Sequence, residues 1–251
     1  MQLENTFAIV TGGASGLGEA CVRHFRAQGA QVAFIDLPGA RGEEVAADTG
    51  AFFTSADVAD EGSVQNAIAA AKSAMGGLNA CITCAGIATG AKTVGRDGAH
   101  PLDAFQRTIN INLIGTFNVA RLAAAAMADN TPNEDGERGV IVTTASVAAF
   151  DGQKGQSAYT ASKAGVSGMT LPIARDLGSL GIRIMSIAPG IFRTPMLEGL
   201  GEEIMDGLAK DVVFPHRLGK PQEFARLAEF IVTCPYLNGS TIRIDGGLRM
   251  P

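Results

Sequence analysis

The sequence predicts an α/β protein built on one open, doubly wound parallel sheet. Short apolar runs ending at Gly, Ser or Asp alternate with stretches of helical spacing along nearly the whole chain. The runs are hydrophobic almost continuously, as strands covered on both faces must be. A glycine-rich turn follows the first run and opens a helix, which is where a βαβ unit places its ligand turn. Repeated β-α-β units of this kind imply ligands at the carboxyl ends of the strands.

The expected strands are FAIVTGG (7–13), QVAFIDL (31–37), AFFTSADV (51–58), NACITCAG (79–86), GVIVTTAS (139–146) and IRIMSIAPG (182–190), with STIRIDGG (240–247) as a seventh. Between them, Val64, Ile68, Ala71 and Met75 recur at helical spacing, as do Val166, Met169, Ile173 and Leu177. The alanine run 123–126 falls inside a helix. Segment 88–103 is the longest loop expected, on the ligand edge; segment 130–139 is expected on the opposite edge. No linker or repeat divides the chain. One domain over 1–251 is expected, with a cofactor half at about 1–150 and a catalytic and substrate half at about 140–251.

Hydrophobic residues make up 46% of the 251 and charged residues 18%, enough for a large core and against disorder. The net charge of −5, with no Lys/Arg block, argues against nucleic acid or an anionic membrane surface as partner. No apolar run approaches a membrane span, and the first strand begins too early for a leader peptide, so a cytoplasmic protein is expected. Cys81 and Cys84 form a C-x-x-C, but on a strand i and i+3 face opposite ways, which favours packing over redox or metal work. The three His are scattered, so no metal site is expected.

TGGASGLG (11–18) carries glycines at 12, 16 and 18. Such a turn lets backbone N–H groups at a helix start approach a pyrophosphate. Asp36 ends the second strand, 20 residues after Gly16. A carboxylate there accepts from a ribose 2′-hydroxyl and repels a 2′-phosphate. With Ser15 rather than a basic residue in the loop, NAD is expected over NADP. Asp57 and Val58, ending the third strand, suit the adenine edge; Asp57 equally suits a cap for a helix beginning near Asp60.

Tyr159 and Lys163 stand one helical turn apart on the same face. A phenol ordinarily titrates near pH 10, and a neighbouring ammonium favours the phenolate. Tyr159 is therefore the candidate acid/base at the oxygen of a carbonyl/alcohol pair, with Lys163 also able to hold a ribose. Ser146, ending the fifth strand, is placed to orient that oxygen. Asn112 sits mid-helix, where an amide is a weak choice on propensity, and is read as holding a water connected to Lys163. Pro189-Gly190 breaks regular structure beside the pocket. Beyond it, Phe192, Met196, Leu197, Leu200, Ile204, Met205 and Leu208 suit either an apolar lid or an ordinary amphipathic helix. Lys92 and Arg96 are candidates for substrate phosphates or plain surface residues.

TGGASGLG, Asp57-Val58, the run Cys84-Ala85-Gly86, Asn112, Ser146 and YTASK together resemble the short-chain dehydrogenase/reductase family over essentially the whole chain. The resemblance implies a seven-stranded Rossmann fold, NAD(P) and an Asn112-Ser146-Tyr159-Lys163 tetrad. Where most members have Asn-Asn-Ala-Gly, this chain has Thr83-Cys84-Ala85-Gly86. That departure, with GTFNVARL, TASVAAFDGQKGQ and GMTLPIARDL, is similar to the group of type 2 3-hydroxyacyl-CoA dehydrogenases. The likeness implies NAD-dependent interconversion of 3-hydroxyacyl-CoA and 3-oxoacyl-CoA, with Gln153 orienting substrate alongside Ser146 and Tyr159. It implies cofactor contacts from Gly12, Ser15, Gly16, Leu17, Gly18, Asp36, Asp57, Val58, Cys84, Ala85, Gly86, Tyr159, Lys163, Pro189, Phe192 and Thr194. It further implies a homotetramer. Two alternatives stand beside it: a steroid or other secondary-alcohol dehydrogenase on the same site, and a low-turnover NAD-binding sensor or assembly component.

Overall fold

The computed structural model describes residues 1–96, 98–198 and 201–250. The chain alternates β1 (Phe7–Thr11), α1 (Gly16–Ala27), β2 (Gln31–Asp36), α2 (Gly42–Thr49), β3 (Phe52–Ser55), α3 (Glu61–Met75) and β4 (Ala80–Thr83). A small hairpin, β5 (Val94–Gly95) and β6 (Gly98–Ala99), precedes α4 (Leu102–Ile109). A π turn at Asn110–Ile114 then joins α4 to α5 (Gly115–Met127). The second half runs β7 (Gly139–Thr144), α6 (Ser157–Leu177), β8 (Ile182–Pro189), α7 (Pro195–Glu198), α8 (Glu202–Ala209), α9 (Pro221–Thr233) and β9 (Thr241–Ile244). Each of the seven strands expected from sequence is present, ending one to three residues before its apolar run does.

Those seven strands form one parallel sheet in the order β3-β2-β1-β4-β7-β8-β9. Order reverses between β1 and β4, so the loops leaving them diverge and open a crevice at the carboxyl edge. Alternation along the strands feeds a core on each face. Val10, Phe34 and Ile82 join Val22, Phe25 and Phe224 under α1 and α9, while Ile9, Ile35 and Ile141 join Ile68 and Val119 under α3 and α5. Each fully buried side chain of this size contributes about 1.5–3 kcal/mol through burial. Cys81 faces the second core and Cys84 packs against the first, the opposed orientation that strand geometry demands.

Segment 130–139 lies on the far edge, where Arg138 N–H donates to the Gly181 carbonyl just before β8. Segment 88–103 is more regular than expected, because β5 and β6 pair antiparallel, with a His100 N–H to Thr93 carbonyl bond beside them.

Candidate active site

The glycine turn is fixed from beneath by the ends of its neighbouring strands. Gly12 N–H donates to the Ile35 carbonyl at 2.8 Å, and Ala14 N–H to Asp36 Oδ2 at 3.0 Å. On the β4 side, Cys84 N–H donates to the Thr11 carbonyl and Ala85 N–H to Thr11 Oγ1. A Cβ on Gly12, already at φ +68°, would stand 2.8 Å from Ala85 N, and one on Gly18 would collide with the Gly12 carbonyl oxygen. The spacing of these glycines therefore follows from backbone packed on backbone. α1 begins at Gly16, so its unpaired N–H groups face the crevice.

One cleft of about 1210 Å3 runs along this edge. Every cofactor contact expected from the resemblance lines it, as do Ser146, Gln153, Tyr159 and Lys163. The room, the glycine cradle and the acidic Asp36 rim fit a dinucleotide. Asp57 accepts from Ala59 N–H, while Asp60 caps α3 through Ser63 N–H. Capping thus falls to Asp60 and leaves Asp57 on the cleft wall. Thr194 lies against the turn, its Cγ2 3.5 Å from where a Gly16 Cβ would be.

Asn112 lies within a helical segment, as expected, beside Gly86 and Lys163. It is fully buried and stands behind the wall rather than on it. Its Oδ1 accepts from Ile87 N–H at 2.8 Å; its Nδ2 donates to the Ile87 carbonyl at 2.9 Å and to Ser162 Oγ at 3.1 Å. The amide clamps the turn after β4 to α6. The π turn that carries it was not legible in the sequence, although an amide at mid-helix hinted at an irregularity.

Ser146 caps the short turn 147–149, its Oγ accepting from Ala148 N–H, which leaves its O–H to donate. Lys163 Nζ donates to the Thr144 carbonyl at 2.8 Å and lies 5.8 Å from the centroid of the Tyr159 ring. Burial pulls the Lys163 ammonium down to about 8, with the Cys84 thiol opposing. Burial also pushes the Tyr159 phenol up, and a hydrogen bond with the Ser146 side chain pulls partly back. In the chain alone burial dominates, so moving the phenol toward neutral pH needs positive charge beyond what Lys163 supplies.

The substrate side differs from expectation in detail. Phe192, Leu197 and Leu208 line the cleft, but Met205 is buried and not on the wall. Leu200 lies outside the described residues, as do the side chains of Met196 and Ile204. Among the described residues of segment 88–103 only Ala88 and Asp103 line the cleft; Lys92 and Arg96 are exposed elsewhere. Sequence reasoning missed a whole wall. Asp103, Gln106, Arg107 and Asn110 recur at helical spacing along α4 and face the cleft, and Met250 closes its end. The polar i, i+3, i+4, i+7 pattern was the available signal.

Among the described residues no group of three or more His, Cys, Asp or Glu could hold a metal ion. No described helix is long and apolar enough to cross a membrane.

A family model described as short chain dehydrogenase matches residues 6–205. The chain is 55% identical to the Drosophila melanogaster protein named 3-hydroxyacyl-CoA dehydrogenase type-2, over 99% of both chains. It is 51% identical to the Homo sapiens protein of the same name, over 97% of this chain and 95% of that one. The crystal structure of 3-hydroxyacyl-CoA dehydrogenase type-2 from Mycobacterium avium superposes with a TM-score of 0.95 at 45% identity, covering 99% of this chain and 98% of that one. With the glycine cradle, the strand-end carboxylate and the Ser-Tyr-Lys cluster on one cleft wall, the chain belongs to the short-chain dehydrogenase family and is an oxidoreductase working with a nicotinamide cofactor.

Proposed function

We propose that the protein interconverts 3-hydroxyacyl-CoA and 3-oxoacyl-CoA with NAD, Tyr159 serving as general acid/base. The observation that carries the chemistry is the single cleft in which Ser146, Tyr159 and Lys163 meet the glycine turn. The likeness to the Drosophila and human proteins supports the substrate class. Asp36 supports NAD over NADP, since its carboxylate at the end of β2 would repel a 2′-phosphate.

When bound, the nicotinamide ring accepts or returns the hydride. Around it, Ser146 donates its O–H to the substrate oxygen, fixing that atom beside the Tyr159 hydroxyl. Tyr159 takes the proton from the alcohol in oxidation and returns it in reduction. Lowering a phenol from about 10 to about 7 requires roughly 4 kcal/mol. A cation at about 6 Å and an effective dielectric of about 20 supplies about 3 kcal/mol. Lys163, 5.8 Å from the ring centroid, works in that direction without offsetting burial by itself, and a bound oxidised nicotinamide would add positive charge. Asn112 positions rather than touches: it holds Ile87, and with it Gly86, against Lys163. Gln153, on the wall beside Ser146, orients the acyl carbonyl.

Exposed Ile114 and Phe117 near the start of α5, Leu171 on α6 and Phe230 on α9 offer apolar faces for a homotetramer, and four free cysteines suit a reducing cytoplasm. The test is oxidation of NADH by acetoacetyl-CoA beside the same assay with NADPH. Fast turnover selective for NADH is expected. Binding of NADH without turnover of any acyl-CoA would send the assignment to other secondary alcohols.

A further inference from the structure

Arg243 on β9 joins the turn after Ser146 to the C-terminal tail. Its Nη2 donates to Asp151 Oδ2 at 2.7 Å and to the Leu248 carbonyl at 2.9 Å, and its Nε donates to Asp245 Oδ2 at 2.7 Å. The guanidinium also stacks over Phe150, 5.4 Å from the ring centroid. Asp151 is no loose loop residue. Its N–H and that of Phe150 both donate to the Val147 carbonyl, in the turn that Ser146 caps, and Gln153 follows two residues later.

On its other side Arg243 holds the C-terminal tail, and the tail carries the end of the substrate lobe. Phe214 N–H donates to the Gly246 carbonyl at 3.0 Å. A Cβ on Gly246 would stand 2.6 Å from Val212 Cγ1, and one on Gly247 3.0 Å from Val213 Cβ. Residues 212–214 follow closely on α8, whose Leu208 lines the cleft, as does Met250 at the end of the tail.

We propose that Arg243 is a positioning residue for substrate, setting the Ser146–Gln153 turn in register with the tail and, through the tail, with the segment after α8. The three acceptors sit on two separate segments, and a planar fork of donors can satisfy them together where a lysine cannot. The proposal rests on the reading above in placing the substrate between Gln153 and α8.

The test measures Arg243→Gln for KM of acetoacetyl-CoA and of NADH, and for amide exchange by segment. Expected is a rise of about tenfold or more in the acetoacetyl-CoA KM with the NADH KM within about twofold. Exchange should quicken in both 147–156 and 205–214 while β1 and β2 stay as they were. Arg243→Lys should fall between wild type and Arg243→Gln. Asp151→Asn, nearly isosteric, should give the same pattern more weakly and serves if Arg243→Gln does not fold. The double variant should be no worse than Arg243→Gln alone. Quickened exchange confined to the tail, parallel rises in both KM values, or additive losses in the double variant would overturn the proposal. Failure of the wild type to turn over acetoacetyl-CoA defeats the substrate reading instead, and the exchange pattern still decides the role of Arg243.

Discussion

The two ends of the cleft are built differently. At the cofactor end, the backbone N–H groups of Gly12, Ala14, Cys84 and Ala85 are each bonded to the last residues of an adjacent strand, two to carbonyls and two to the Asp36 and Thr11 side chains. At the substrate end, the wall comes from α4, the 147–156 turn, segment 189–219 and the tail, joined chiefly by side chains and by single backbone bonds such as Phe214 to Gly246. The first arrangement tolerates almost no substitution and holds one shape. The second can be re-cut residue by residue, which is what a site recognising a particular substrate needs.

Variants can break or sharpen this contrast. The largest effect should come where the ends meet. Tyr159→Phe should lower turnover by about 10³-fold while leaving NADH affinity within about threefold, read by steady-state kinetics beside fluorescence titration. Near-normal turnover would remove the acid/base assignment. At the cofactor end, Gly18→Ala forces a methyl onto the Gly12 carbonyl. It should destabilise by about 1–3 kcal/mol in thermal melts and weaken NADH binding at least tenfold. At the substrate end, Leu208→Ala should raise the acyl-CoA KM by about tenfold with NADH binding unchanged, the scale of a lost apolar contact. If Leu208→Ala weakened NADH equally, the ends would not be separable.

The smallest expected change is one of stability, not turnover, and concerns Lys163. Its pKa in the fold, about 8, lies below the ordinary lysine value of about 10.5. Folding therefore disfavours its charged form. That cost is fully present below pH 8, declines between about 8 and 10.5, and vanishes above. Lys163→Met should abolish useful turnover yet raise Tm by a few degrees at pH 7, a gain that shrinks toward pH 10. The orphaned Thr144 carbonyl limits the gain, since losing one donor to a buried acceptor costs about 1–3 kcal/mol. A lower Tm at pH 7 would show that this bond outweighs the buried charge.

The same contrast explains what could be read in advance. Strands, glycine turn, Asp36 and the Tyr159–Lys163 pair were legible because each depends on local spacing: continuous apolar runs, collisions between near neighbours, one helical turn. Asn112 was legible as an amide inside a helix, but its partners were not. Only packing shows that its amide bonds to Ile87 and Ser162. The π turn had no local signature beyond that amide. Lys92 and Arg96 could be read as surface residues or phosphate ligands because a loop has no direction in sequence; both prove exposed and off the cleft wall. The Arg243 junction spans residues 92 apart and could be seen only in three dimensions.

Asp36 has one carboxylate and two duties. The oxygen that accepts from Ala14 N–H helps shape the phosphate-binding turn, and the other accepts from Leu37 N–H at the spot where a ribose would be read. Cofactor preference is therefore not a detachable label on this scaffold. Exchanging Asp36 for a residue with no side-chain acceptor to admit NADP would also strip a partner from the glycine turn. An altered enzyme would need a replacement partner for Ala14 before a welcoming charge for the extra phosphate could help it. A change in what is read at the end of β2 is thereby also a change in how the glycine turn is held.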